Sequence, residues 1–103
     1  MSCTRLIVSG AVSGTELAAA YVWRGAHLGK THDHDGAIDD YNTALKIDPK
    51  SVTAYMARGL SFELKGDLNG ALADYRMAAT IDPQMNYAAD AVKRVEDALA
   101  TRP

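Results

Sequence analysis

The segment Thr31-His32-Asp33-His34-Asp35 gathers two imidazoles and two carboxylates within five residues, and all four side chains are of types that bind divalent metals. The spacing argues against a metal centre. A His-x-His pair on one short segment supplies at most part of a coordination sphere, and no cysteine stands nearby. The Asp33-x-Asp35-Gly36 run lacks the further ligands and distal glutamate of a calcium loop. Asp33 has a counterpart in Asp67, in a segment without histidines, which points to turn formation and helix initiation instead. A site at His32 and His34 is therefore the lesser reading, and no metal or cofactor is expected. Catalysis has less to stand on. His27 stands apart, the carboxylates are scattered, and no nucleophile elbow, phosphate loop or metalloprotease motif is present. The chain is expected not to be an enzyme.

The elements that carry these residues must fit into 103 residues, the size of one domain. Hydrophobic residues make up 48% and charged residues 23%, which excludes a disordered or collagen-like chain and gives no membrane span. A net charge of −2 supplies no positive field for nucleic acid or anionic lipid. Cys3 is the only cysteine, so no internal disulfide braces the chain. Arg5 followed by Leu6-Ile7-Val8 begins like a signal peptide, but Ser9, Gly10, Ser13 and Gly14 break the apolar run too early. No compartment follows, with the cytoplasm as the working expectation.

Internal order supplies what composition does not. Aligning residues 18–51 with 52–85 without a gap gives thirteen identities in thirty-four positions, where ordinary residue frequencies give about two or three. The matches include Tyr21/Tyr55, Arg24/Arg58, Gly25/Gly59, Asp33/Asp67, Ala37/Ala71, Asp40/Asp74, Tyr41/Tyr75, Ala44/Ala78 and Pro49/Pro83. In each unit apolar residues recur at helical spacing, break at a turn before the aspartate, and resume until Asp-Pro. Two antiparallel helices per unit follow. Gly59, Ala71 and Ala78 let the helix backbones approach while Tyr55, Phe62 and Tyr75 fill the remaining space. Pro49 and Pro83 are expected to end one hairpin and open the next, since proline suits a first helical turn.

This pattern resembles the tetratricopeptide repeat, a helix-turn-helix unit of 34 residues. Its signature positions are held by Tyr21, Gly25, Leu28, Ala37, Tyr41, Ala44 and Pro49 in the first copy, and by Tyr55, Gly59, Phe62, Ala71, Tyr75, Ala78 and Pro83 in the second. The resemblance implies an all-α fold of antiparallel helical hairpins stacked in a right-handed superhelix. Arg24 and Arg58 depart from the signature, which has leucine there. Each is followed sixteen residues later by an aspartate on the facing helix, Asp40 and Asp74, and ion pairs between them are predicted.

One domain over 1–103 is expected, with repeats at 18–51 and 52–85 and a capping helix at 86–100. In that last helix Ala88, Ala91, Val92, Val95 and Leu99 form one stripe and charged residues cover the other faces. Residues 1–15 are expected to be an N-terminal remnant, a short helix in preference to a strand, so that the chain reads as a segment of a longer array.

The resemblance also implies a function: a protein–protein interaction scaffold or adaptor that holds a peptide or partner segment in the concave groove formed by the first helix of each repeat. By helical phase the groove residues are Val22, Trp23 and Ala26, with Ala19; Thr53, Met56, Leu60 and Glu63, with Ala57; and Tyr87, Asp90 and Arg94 on the cap. Some domains of this family bind a chaperone's C-terminal carboxylate through Lys, Asn and Arg in this groove. Here Val22, Ala26 and Ala57 stand at such places, so apolar contacts are expected to dominate. Trp23 is the leading contact, with packing against the N-terminal segment as its alternative role. The alternative function is self-association through the groove or the stack ends as a homodimer, which light scattering separates from partner binding.

Overall fold

A computed structural model describes residues 14–101. They form five helices: α1 (Gly14–Lys30), α2 (His34–Ile47), α3 (Val52–Leu64), α4 (Leu68–Ile81) and α5 (Asn86–Ala100). Helices α1 with α2 and α3 with α4 pair as hairpins, α2 packs on α3, and α5 covers α4. There is no strand among the described residues. The expected N-terminal remnant lies outside them, except that residues 14 and 15 already belong to α1.

The two hairpin turns are built alike. The N–H groups of His32 and Asp33 reach back to the carbonyls of Gly29 (3.0 Å) and Leu28 (2.9 Å), and those of Gly66 and Asp67 reach Glu63 (3.0 Å) and Phe62 (2.8 Å). This helix-ending motif needs one residue with a left-handed backbone. His32 (φ 66°) and Gly66 (φ 89°) fill that place. The next residue then starts the following helix: Asp33 accepts from Gly36 N at 3.0 Å and Asp67 from Gly70 N at 2.9 Å. One aspartate per repeat thus closes one helix and caps the next.

Proline acts one step earlier than the sequence suggests. Helices α2 and α4 end at Ile47 and Ile81, and Ser51 N and Met85 N bond the carbonyls of Asp48 (3.2 Å) and Asp82 (3.1 Å). Pro49 and Pro83 occupy the second position of these turns, where their fixed φ is favourable, and lie outside the helices. Helix α3 starts instead at Ser51, whose side chain accepts from Ala54 N at 3.1 Å.

Packing is local. Ala18, Ala44, Leu45 and Ala54 form one buried cluster, and Ala71, Leu72, Tyr75, Ala91 and Val95 form another. A Cβ on Gly25 would stand 2.6 Å from the Tyr41 ring, and one on Gly59 2.8 Å from the Tyr75 ring. Both glycines therefore set the distance between the helices of a hairpin. Such a core stabilises neighbour by neighbour, as expected of stacked repeats.

The predicted ion pairs lie at the same hairpin interfaces. Arg24 Nε and Nη2 reach both oxygens of Asp40 at 2.8 and 2.7 Å, and Arg58 makes the same pair of bonds to Asp74. The Asp40 and Asp74 side chains are only 7% and 5% exposed, so these are not solvated surface charges. Arg58 also donates from Nη1 to Asn42 Oδ1 at 2.8 Å, joining the two repeats, and its guanidinium lies between the Tyr55 and Phe62 rings.

Candidate functional site

Clefts open between α1 and α3 and between α3 and α5, and they adjoin through shared residues. The cleft between α1 and α3, about 550 Å³, is lined by Val22, Trp23, Ala26 and Thr53 together with Ala19 and Ala57. Between α3 and α5 a second cleft of about 270 Å³ is lined by Thr53, Met56, Leu60, Tyr87 and Arg94. A third, about 340 Å³, opens at the C-terminal ends of α1 and α3, where Ala26 and Leu60 meet Lys30, His34 and Leu64. Ala57 belongs to all three.

Large apolar side chains stand open to solvent along these helices. Trp23 is 69% exposed, Tyr87 73%, Leu64 61% and Leu60 49%. Their burial by a partner would release several kcal/mol at roughly 25 cal/mol per Å² of apolar surface. Isolated exposed hydrophobics need no explanation, but these four stand on α1, α3 and α5, the helices that border the clefts.

Two predicted groove residues sit differently. Glu63 is directed inward: its Oε1 accepts from the Tyr75 hydroxyl at 2.8 Å and its carboxylate is paired with Arg94. The Arg94 hydrogen bond, then that of Tyr75, holds the Glu63 carboxyl below its usual range against the opposing effect of burial. Burial and the Glu63 carboxylate push the Tyr75 phenol up. The Glu63–Arg94 pair therefore ties α5 to α3. Asp90 is exposed and lines none of the three clefts described above.

Sequence reasoning missed the groove ends. Asp48 and Ser51 border the first cleft, although the sequence marks them only as the end of the first hairpin and the end of the first repeat, and Leu64 and Lys30 border the third. Only the superposition of neighbouring helix ends brings them to the groove. The histidine-rich segment holds no metal arrangement. The His32 and His34 rings meet edge to face with centroids 6.1 Å apart, and His32 occupies the left-handed turn position. No group of three or more His, Cys, Asp or Glu side chains suited to a metal occurs among the described residues. His34 Nδ1 is buried without a hydrogen-bond partner. No helix among the described residues is long and apolar enough to cross a membrane.

Stacked helical hairpins with open clefts between α1, α3 and α5 define a helical repeat protein of the interaction-module class. Two family models make the class specific: one described as TPR repeat matches residues 32–66, and one described as tetratricopeptide repeat matches residues 52–85. The chain belongs to the tetratricopeptide-repeat family. Solved structures agree. It is similar to the TPR domain of Arabidopsis OM64, with 34% identity over 78% of this chain and 66% of that one, at a TM-score of 0.73. The first TPR of Spaghetti (RPAP3), bound to the HSP90 peptide SRMEEVD, matches with a TM-score of 0.77 and 21% identity, covering 82% of this chain and 67% of that one. A structure of the UNC-45 chaperone, concerned with binding and folding muscle myosin, has a TM-score of 0.73 and 26% identity. It covers 81% of this chain, which in turn spans 9% of that one. No curated protein matches. Repeats of this family form protein–protein interaction modules, and one of these solved relatives is bound to a peptide.

Proposed function

We propose that this chain is a scaffold or adaptor module that holds an apolar partner segment in the groove along α1, α3 and α5. The observation that carries this reading is the row of exposed Trp23, Leu60 and Tyr87 beside clefts that share Ala57. The relative that carries the HSP90 peptide SRMEEVD supports a peptide as the kind of partner. It does not extend to an acidic tail here, because Val22, Ala26 and Ala57 line the first cleft and Arg94 is already paired with Glu63. Apolar contact with Trp23 as an anchor is the mode this lining favours.

The test is selection of peptides from a displayed random library on the immobilised protein, followed by titration into variants. Trp23→Ala and Leu60→Ala should each weaken the selected peptides about tenfold or more. Met77→Ala, which removes an exposed side chain on α4 outside this groove, should leave them unchanged. Peptides that bind the groove variants as tightly as the wild type would refute the assignment.

A further inference from the structure

We propose that the cleft between α1 and α3 selects a partner segment by an arginine or lysine side chain, a refinement that rests on the groove reading above. At about 550 Å³ the cleft has the size of ligand sites in general. Its walls are apolar, with Val22, Trp23 and Ala57, and its polar residues, Thr15, Asp48, Ser51 and Thr53, stand at the end where α1 and α3 begin. Asp48 is the one charged side chain of this lining among the described residues.

Asp48 is not committed to another charge. Its Oδ1 accepts only the N–H of Lys50, at 3.3 Å, and no cationic side chain pairs with it among the described residues. The N-terminus of α3 lies at the same end, and its partial charge of roughly +0.5 offsets only part of a full carboxylate. The Ser51 side chain already accepts from Ala54 N there. An apolar wall that ends on a carboxylate fits a long cationic side chain, whose methylene stem lies on the wall while its head reaches the charge. The exposed Trp23 indole extends the apolar wall on which that stem lies. A glutamate in this place would meet the Asp48 carboxylate, whose charge the helix end offsets only in part, so the cleft disfavours acidic residues as well as favouring basic ones. Arginine is the better fit, since its planar head can donate two hydrogen bonds to the carboxylate.

Trp23 is the only tryptophan of the chain and reports on this cleft directly. The probes are three tryptophan-free peptides with one leucine–alanine framework and a central arginine, glutamine or glutamate, titrated while indole emission is recorded. The arginine peptide should bind about tenfold tighter than the glutamine peptide, the glutamate peptide weakest. Asp48→Asn, which keeps the Oδ1 acceptor, should remove most of that preference, whereas Asp90→Asn, outside the cleft, should preserve it. Circular dichroism confirms that both variants are folded. A glutamine or glutamate peptide that binds as tightly as the arginine peptide and shifts Trp23 emission overturns the basic preference while the groove reading stands. Preference retained in Asp48→Asn overturns it too. If no peptide of the set alters Trp23 emission, the cleft assignment falls, and the library selection decides the groove.

Discussion

The Arg58–Asp74 pair should be strongly coupled, and a double-mutant cycle of Arg58→Leu, Asp74→Ala and the combined variant measures by how much. The two bonds are 2.8 and 2.7 Å, and the side chains are 22% and 5% exposed. Unit charges about 4 Å apart attract by about 4 kcal/mol at an effective dielectric of about 20, before desolvation is subtracted. Burial at this level removes about half of that, leaving an expected coupling of about 2 kcal/mol. Arg58→Leu alone should cost about 3 kcal/mol, because it leaves a buried carboxylate without its cation, although leucine itself suits a helix interface. The combined variant should be milder than the sum. Urea unfolding followed by far-ultraviolet circular dichroism supplies the four free energies. The same cycle on Arg76 and Glu96, whose side chains are 58% and 47% exposed, should give about 0.5 kcal/mol or less. Equal coupling in the two cycles would refute the reasoning, since it would mean that burial does not set the strength of the pair.

Gly59→Ala should destabilise by about 1–2 kcal/mol despite the better helix propensity of alanine, because the new Cβ would stand 2.8 Å from the buried Tyr75 ring; an unchanged urea midpoint would show that the ring yields freely. His32→Gly should raise stability by about 0.5–1 kcal/mol, since His32 holds a φ of 66° where the second repeat has Gly66; thermal unfolding measures it. Glu63 is depressed in the folded state, chiefly by Arg94, so its contribution is present above its ordinary value of 4.5 and is lost as pH falls through the lower folded value. Comparing Arg94→Ala with wild type across that acid range should show a smaller acid dependence in the variant, and parallel curves would contradict it.

The histidine-rich segment illustrates how much a repeat comparison reveals. Set against its counterpart around Gly66 and Asp67, it reads as a turn, and the backbone makes it one, with Asp33 as the cap. The Arg–Asp spacing was legible for the same reason, since two copies of one hairpin place residues sixteen apart in sequence at the same contact. The position of proline was less legible. Its fixed φ suits both a first helical turn and the second place of a β-turn, and only the Asp48–Ser51 hydrogen bond separates the two.

Periodicity and recurrence in the sequence determine the helices, their pairing, the glycine contacts and the apolar face of α1 and α3, because each follows from interactions within one 34-residue unit. What lies between units required the tertiary structure. Helical phase placed Glu63 and Asp90 in the groove, yet Glu63 turns inward to Tyr75 and Arg94 while Asp90 lines none of the clefts described. Asp48, which the sequence places at the Asp-Pro end of the first hairpin, borders the first cleft. The physical reason is that the relative rotation of neighbouring hairpins is set by packing across the interface, which determines the side chains that meet at the groove ends and the charges that are neutralised there.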